Sequence, residues 1–324
     1  MNKWISASRD PSHRPTLNDF IEVSKRLKGI ALHTPLLPLR RYREEDTQIL
    51  LKPEMLQPIG SYKIRGVYNW AAQIPAKERR RGLSTVSAGN MSQALGYVAN
   101  MFGVPSRAVI PDSAPKSKIE ASRRYGMEII LMPREELIQY VNNPPSDYCF
   151  LNPLAEFRLL DGHGTIGIEV MEDAPETETI YVPLGLGFLS SGVALAAKAL
   201  KPSIRVIGVN AENSPHFYES LRQGRVVATE LKDTVADAIN DFVTEDTLEL
   251  VKETLDDVVL VSEGETKKAI RFLALENKLV CEGAGAISVA AALLTPKEVR
   301  GRTVCVLSGG SIDADKLGKI IVDH

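Results

Sequence analysis

The segment TIYVPLGLGFLSSGVALAAKAL, residues 179–200, joins a run rich in β-branched residues to a run of small apolar residues through a glycine-rich turn. The first run, residues 179–182, predicts a buried strand, and residues 190–200 have the periodicity of a helix. A strand that turns through glycines directly into a helix is the repeating unit of α/β folds. This segment therefore predicts a sheet covered by helices.

The turn inside this segment can hold an anion. Gly185 and Gly187 permit a tight turn, in which free backbone N–H groups at the helix start can cradle a phosphate. The spacing is not G-x-G-x-x-G, because Ser190 stands where the third glycine would be. The alternative is a tight turn that only lets the helix pack closely on the sheet.

Strand-like runs alternate with helical stretches along the rest of the chain. This alternation predicts an α/β fold with a parallel sheet flanked by helices on both faces. The turns after the strands are where such sheets bind ligands. The predicted strands are residues 49–52, 84–87, 107–110, 128–131, 179–182, 205–209, 258–261 and 303–307, and the predicted helices include residues 91–102, 116–125, 190–200 and 266–275.

Composition excludes several classes of protein. The chain has 324 residues, of which 44% are hydrophobic and 25% charged, as in an ordinary globular protein of one large or two medium domains. A net charge of -2 with scattered basic residues indicates neither a nucleic-acid nor a membrane partner. The sequence shows neither an apolar signal segment nor an apolar run long enough to span a membrane. Its three cysteines, Cys149, Cys281 and Cys305, do not have metal-ligand spacing. These observations predict a cytoplasmic protein with reduced thiols.

A second turn, QPIGSYKIRG at residues 57–66, also follows a predicted strand and opens a helix. Ser61 is expected to be the N-cap of that helix. Lys63 would then lie near the positive end of the helix dipole, which favours its neutral amine. If it is also desolvated, the amine becomes a nucleophile for an aldehyde. The alternative is a solvated surface lysine.

A third turn, SAGNMSQ at residues 87–93, again joins a strand to a helix. Free backbone N–H groups at the helix start can hold a carboxylate, and Asn90 and Gln93 add side-chain donors. An asparagine cap without a ligand is an equally good interpretation.

Two further turns lie near the C-terminus. In LSGGSID, residues 307–313, the Ser308 hydroxyl follows a predicted strand and can bond a heterocycle nitrogen or cap the last helix. In CEGAGA, residues 281–286, Glu282 is best explained as an acidic residue that favours a helix N-terminus.

Taken in order, these turns resemble those of the threonine/serine dehydratase (ammonia-lyase) and serine racemase family, which are fold-type II pyridoxal-phosphate enzymes. The resemblance runs from about Phe20 to the C-terminus. The matching motifs are SYKIRG at 61–66, SAGN at 87–90, the glycine turn at 185–192, EGAG at 282–285 and SGG at 308–310.

This resemblance implies a tryptophan synthase β-like fold of two domains, each an open, mostly parallel sheet flanked by helices. Residues 1–55 and 156–324 would form the large cofactor-binding domain. Residues 56–155 would form a smaller mobile domain that carries the Asn90 turn. A homodimer is also implied.

The resemblance implies a role for each turn. Lys63 is the catalytic residue and carries pyridoxal 5'-phosphate as a Schiff base. Tyr62 lies against the cofactor, Asn90 bonds its phenolic oxygen and Ser308 bonds its pyridine nitrogen. The backbone amides that hold the phosphate belong to Gly185, Leu186, Gly187, Phe188 and Leu189. The residues around the substrate carboxylate are Ser87, Asn90, Met91 and Gln93.

Several positions depart from the family pattern. The family usually has histidine after the turn asparagine, so Met91 removes a polar edge of the pocket. The family's phosphate turn is usually four glycines, whereas Leu186 and Phe188 would be strained at positive φ. The metal-ligand positions of serine racemase are Asn210, Ser214 and His216 here, so no divalent cation is predicted.

One further match bears on the reaction. Racemases of this family use a serine two residues before the turn asparagine, and here that position is Ala88, as in the dehydratases. Alanine cannot deliver a proton, which favours elimination over two-base racemisation. The expected reaction is β-elimination of L-threonine or L-serine to a 2-oxo acid and ammonia.

Three alternatives stay open. The same cofactor could support racemisation or β-replacement. Gly185-Leu-Gly187, with Glu212 near the end of the next strand, could belong to a nicotinamide-dependent dehydrogenase. The chain could also be a non-catalytic homologue that has lost cofactor affinity through Leu186 and Phe188.

Overall fold

The computed structural model describes residues 12–41, 44–230, 232–240 and 242–322. Its strands are β1 Leu37–Arg41, β2 Glu44–Pro53, β3 Leu83–Val86, β4 Ser106–Pro111, β5 Glu128–Met132, β6 Cys149–Leu151, β7 Thr179–Pro183, β8 Arg205–Ala211, β9 Asp257–Val261 and β10 Thr303–Leu307. They form a six-stranded sheet in the order β1-β2-β10-β7-β8-β9 and a four-stranded sheet in the order β5-β4-β3-β6.

Helices connect the strands. They are α1 Leu17–Leu27, α2 Lys63–Ala72, α3 Ala76–Arg79, α4 Asn90–Phe102, α5 Lys116–Arg123, α6 Arg134–Asn142, α7 Arg158–Asp173, α8 Phe188–Leu200, α9 His216–Gln223, α10 Glu245–Thr254, α11 Glu263–Leu275, α12 Gly283–Leu294, α13 Lys297–Arg300 and α14 Ala314–Val322, with short 3-10 helices at Glu54–Leu56 and Asp237–Ile239. Within the residues that the structure describes, no helix is both long and apolar enough to cross a bilayer.

Both sheets are parallel apart from β1, which pairs with β2 in the antiparallel direction. The predicted fold class, open and mostly parallel sheets flanked by helices, is therefore confirmed. The strands of the smaller sheet all lie between residues 83 and 151. The predicted domain limits at residues 56 and 155 stay a prediction.

Alternate residues of the central strands enter cores on opposite faces of the large sheet. In β10, Cys305 and Leu307 belong to the core formed with α11 and α12, which includes Ile287. Val304 and Val306 belong to the core formed with α7 and α8. Helices cover both faces of these strands, so the side chains on both faces are apolar. The strands therefore appear in the sequence as continuous β-branched runs.

Helix α2 is held against α7 by backbone contact. A Cβ atom on Gly162 of α7 would lie 2.4 Å from the carbonyl oxygen of Arg65, so only glycine fits there. At the next residue of each helix, a Cβ on Gly66 of α2 would lie 2.4 Å from Cε1 of His163 in α7. The start of α2, which carries Lys63, is thus fixed relative to the large sheet.

A network of buried charges also fixes α2. The Arg65 guanidinium, 1% exposed, donates from Nε to Oε2 of Glu54 at 2.8 Å and from Nη1 to Oε1 of Glu169 at 2.6 Å. Lys52 Nζ lies 2.6 Å from Glu169 Oε2 and donates to the carbonyl oxygen of Thr34 at 2.6 Å. Two cations face two carboxylates, so the cluster is internally neutral and joins β2, α2 and α7.

Candidate active site

The Lys63 and Ser308 turns are hydrogen-bonded to each other. The backbone N–H of Tyr62 donates to the Ser308 carbonyl at 3.0 Å, and that of Gly310 donates to the Gly60 carbonyl at 2.9 Å. Ser61 and Gly309 form an isolated β-bridge. The residue predicted to bear the amine and the residue predicted to face a ring nitrogen therefore lie on adjoining backbone segments.

One detail of the Lys63 turn was predicted wrongly. Tyr62 is the N-cap of α2 and no side chain caps the helix. The Ser61 hydroxyl is buried and has no hydrogen-bond partner in the structure. The chain reaches α2 through a bridge to Gly309 rather than through a serine cap, and this leaves Ser61 with a polar atom available to a ligand.

Lys63 is half-buried beside the aromatic ring of Tyr62. Its Nζ lies 4.9 Å from the centroid of the Tyr62 ring, and that ring makes an edge contact with His163 at 4.6 Å between centroids. Burial, followed by the charges of Lys63 and Arg65, lowers the pKa of His163 well below its usual value. His163 is therefore a neutral imidazole that supports Tyr62. No role for His163 was predicted from the sequence.

The Asn90 turn begins α4, with Gly89 as the N-cap. Asn90 Nδ2 donates to Glu282 Oε1 at 2.9 Å, while Asn90 Oδ1 is buried without a partner. Ser87 Oγ accepts from the N–H of Gly89 at 3.2 Å and shapes the turn. The first N–H groups of a helix have no intrahelical acceptor, so this turn presents donors to an anion.

Met91 and Gln93, the other predicted carboxylate neighbours, sit differently in α4. The Met91 side chain is 5% exposed and packs into the core of the smaller sheet. The N–H of Gln93 is already donated to the Gly89 carbonyl at 3.3 Å, and its side chain is half-buried. Met91 could therefore contact a substrate only through its backbone N–H. The assignment of Met91 and Gln93 to the surroundings of the substrate carboxylate stays a prediction.

The phosphate turn adopts its left-handed angle at a glycine. Gly187 has φ +90 and is the N-cap of α8, whereas Leu186 and Phe188 do not have positive φ. Phe188 is 4% exposed and packs edge-on against Phe157, with 5.1 Å between ring centroids. The expected strain at the two bulky residues is thus absent. Backbone amides of residues 185–189 can face an anion while the Phe188 side chain points into the core.

Gly187→Ala is expected to lower the free energy of unfolding by about 1–2 kcal/mol, the usual cost of a left-handed angle in an L-residue. Its Cβ would also lie 2.9 Å from Val251 Cγ2, which crowds the turn. We expect weaker binding of pyridoxal phosphate as well. Urea denaturation and a cofactor titration measure the two effects.

Gly224→Ala is the matched control for this prediction. Gly224 has φ +65 at the end of α9, and a Cβ there meets nothing within 4 Å. This variant should lose stability but keep its cofactor affinity. Equal cofactor affinity in both variants would mean that the Gly187 turn does not hold the phosphate.

The positions that correspond to the metal ligands of serine racemase are hydrogen-bonded to the protein. Asn210 donates to the Leu184 carbonyl at 2.7 Å, and its oxygen accepts from the N–H of Tyr218 at 3.1 Å. His216 Nδ1 lies 2.9 Å from Ser214 Oγ, and burial lowers the pKa of this histidine. Among the described residues, no group of three or more His, Cys, Asp or Glu side chains could hold a metal ion.

Glu282 makes a contact that its sequence context did not predict. It occupies the N-cap position of α12 but makes no capping hydrogen bond, because its carboxylate reaches across to Asn90. Burial, and then the charge of Asp237, raises the pKa of Glu282 to about 7, against opposing effects that include Lys63. A glutamate before a helix is common, so the sequence offered no signal for this contact.

The assembled residues fit a ligand with an aldehyde, a polar aromatic ring and a phosphate. Lys63 offers the amine, and the Gly187 turn offers backbone N–H groups. Two buried side-chain atoms, Ser61 Oγ and Asn90 Oδ1, have no hydrogen-bond partner among the residues that the structure describes. Orphaned buried polar atoms are costly, which indicates that a ligand satisfies them.

Comparisons with known proteins agree with this geometry. The family described as pyridoxal-phosphate dependent enzyme matches residues 28–309. The L-threonine ammonia-lyase of Thermotoga maritima is 41% identical over 314 residues, 94% of this chain and 78% of that protein. The catabolic L-threonine dehydratase of Escherichia coli is 36% identical over 94% of this chain and 95% of its own. The structure of maize serine racemase superposes with a TM-score of 0.85 at 28% identity, covering 96% of this chain and 98% of that one.

Proposed function

The chain belongs to the pyridoxal-phosphate-dependent enzymes, and on that premise we propose that it removes water from L-threonine or L-serine by β-elimination. Hydrolysis of the product, which takes one water back, then gives a 2-oxo acid and ammonia. The observation that carries this proposal is the meeting of the Lys63, Asn90 and Ser308 turns at one site. Membership of this family sets aside the nicotinamide-dehydrogenase alternative.

Each turn would perform one task. When bound, pyridoxal phosphate supplies an aldehyde for the amine and a ring that accepts electrons. Lys63 would hold the aldehyde and, once its amine is released by the substrate, remove the proton from the substrate's α-carbon. The amides at the start of α4 would orient the substrate carboxylate. Those of the Gly187 turn would hold the phosphate.

Ser308 would set the electronic character of the site. It follows β10 directly and is 3% exposed, so a ring nitrogen held beside it would face a neutral hydroxyl rather than a carboxylate. A neutral partner stabilises positive charge on that nitrogen less than an anion does. Such a site would favour prompt loss of the substrate's β-hydroxyl, as elimination requires.

Ala88 favours elimination over racemisation. Two-base racemisation needs a second proton donor on the face opposite the lysine. Ala88, which packs partly against the core of the smaller sheet, has no such proton. Because the fold is similar to that of maize serine racemase, racemisation is the second candidate function.

Ala88→Ser is expected to raise the amount of D-serine formed per pyruvate released from L-serine, because it introduces a hydroxyl at this position. A severalfold rise in the ratio is expected. Chiral chromatography of the amino acid, with enzymatic assay of pyruvate, measures it for the variant and the wild type. An unchanged ratio would mean that residue 88 does not determine the balance between racemisation and elimination.

A screen of hydroxy amino acids with added cofactor tests the proposed reaction. We expect release of a 2-oxo acid and ammonia from L-threonine, L-serine or both. Inversion of L-serine without a 2-oxo acid would favour a racemase instead. No turnover and no visible absorption band at saturating cofactor would favour a non-catalytic homologue.

We also propose that the protein is a cytoplasmic homodimer without a nucleic-acid partner. The dimer rests on family resemblance. Cys149, Cys281 and Cys305 are buried and free of disulfides, which suits a reducing compartment. Light scattering at low protein concentration tests the dimer, and a monomer would contradict it.

A further inference from the structure

The Glu282–Asn90 hydrogen bond joins elements of the two sheets. Asn90 opens α4, which packs on the four-stranded sheet, and Glu282 precedes α12, which packs on the six-stranded sheet. The bond crosses Gly309, where a Cβ would lie 2.5 Å from Glu282 Oε1 and 3.2 Å from Asn90 Nδ2. The N–H of Glu282 also donates to the Gly309 carbonyl at 3.0 Å. One residue thus contacts both the Asn90 side chain and the Ser308 turn.

An ionised carboxylate determines which way the asparagine amide faces. A carboxylate only accepts hydrogen bonds, so the group that Asn90 turns toward it must be the NH2. That NH2 has a second N–H, which is free to point elsewhere. The opposite orientation would place Oδ1 against the carboxylate, and two acceptors repel each other.

We propose that Glu282 is a positioning residue, which fixes the Asn90 amide so that its second N–H faces the phenolic oxygen of pyridoxal phosphate. This inference rests on the proposed function and deepens it. Glu282 itself need not touch the cofactor. Its effect is transmitted through Asn90, and its loss leaves the amide free to turn.

The charges around Glu282 make this arrangement depend on pH. Asp237 and the neighbouring Cys281 thiol face it, as do the cations Lys118 and Lys63, and Lys118 is itself paired to Asp237 at 2.9 Å. With a pKa raised to about 7, Glu282 becomes protonated as the pH falls through neutrality. Once protonated, Glu282 can instead donate a hydrogen bond to Asn90 Oδ1, so the Asn90 amide is no longer held in one orientation. Cofactor affinity should therefore fall as the pH is lowered.

A double-mutant cycle on cofactor binding tests the inference. The dissociation constant of pyridoxal phosphate is measured by absorbance titration of the apo-protein for the wild type, Glu282→Ala, Asn90→Ala and the double variant. Loss of a charge-assisted hydrogen bond predicts about tenfold weaker binding for Glu282→Ala. In the Asn90→Ala background the same change should have no further effect, because the residue through which it acts is gone.

Two more variants separate positioning from folding. Glu282→Gln keeps the size of the side chain and should lose the pH dependence of cofactor binding, because it cannot ionise. Glu178→Gln changes a carboxylate that accepts from the N–H of Arg302 at 2.8 Å, before the start of β10, and should bind cofactor like the wild type.

Two failures can be told apart. Equal losses for Glu282→Ala in both backgrounds, or a pH dependence retained in Glu282→Gln, would overturn the positioning role while the proposed function stands. A wild type that binds no pyridoxal phosphate would overturn the proposed function and this inference with it.

Discussion

Lys63→Ala is expected to abolish covalent capture of pyridoxal phosphate and to lower turnover by about 10³-fold or more, the range in which removal of a general acid or base falls. The same amine would hold the aldehyde and remove the α-proton, so both functions are lost together. Lys63 lies at the start of α2, half-buried against Tyr62, and no other amine of the turn at residues 57–66 can replace it there.

Lys77→Ala is the matched control for this variant. Lys77 is exposed on the short helix α3, which follows α2 along the chain. This variant should keep both the visible absorption of bound cofactor and the rate of 2-oxo acid release. Turnover by Lys63→Ala within tenfold of the wild type would contradict the assignment of the base.

Arg65→Leu is expected to lower the free energy of unfolding by about 3–5 kcal/mol, because it leaves buried carboxylates without their cation. Glu54 is fully buried, and Glu169 would retain only Lys52. Urea denaturation followed by circular dichroism measures the loss. Since Arg65 lies two residues after Lys63, we also expect poorer cofactor capture.

Arg123→Leu separates this buried network from an ordinary surface pair. Arg123 is 54% exposed and pairs with Glu120 at 2.6 Å within α5. Exposed pairs of this kind contribute about 0–1 kcal/mol. Similar losses for the two arginine variants would mean that the network around Arg65 does not stabilise the fold.

The same network predicts how stability depends on pH. Burial alone would raise the pKa of Glu169, but the charges and hydrogen bonds of Arg65 and Lys52 lower it below its usual value. A carboxylate with a lowered pKa contributes stability that is fully present above its unfolded pKa and is lost as the pH falls through the folded one. In Arg65→Leu this acid-side dependence should weaken, because the main partner of Glu169 is absent.

The central strands could be predicted from the sequence because they are buried on both faces. The runs at residues 179–182 and 303–307 are continuously apolar or β-branched, and they became β7 and β10. Strands β1 and β6 were missed. They lie at sheet edges, where β1 contains Pro38 and two arginines and β6 has only three residues. Edge strands need fewer apolar residues, so they leave a weaker pattern.

The site could be predicted in its chain order but not in its contacts. The turns around Lys63, Asn90 and Ser308 were identified by their motifs, whereas the bond from Asn90 to Glu282 spans 192 residues. Nothing local to Glu282 distinguishes it from an ordinary acidic residue at a helix start. The backbone conformation of Leu186 and Phe188 could not be predicted either, because it depends on which residue of the turn adopts the left-handed angle.

The most direct test of the account is to reduce the cofactor-loaded protein with borohydride and to map the modified peptide by mass spectrometry. We predict a single pyridoxyl-phosphate adduct, on the peptide that contains Lys63. An adduct on another lysine, or no adduct at saturating cofactor, would contradict the claim that this amine is the centre of the site.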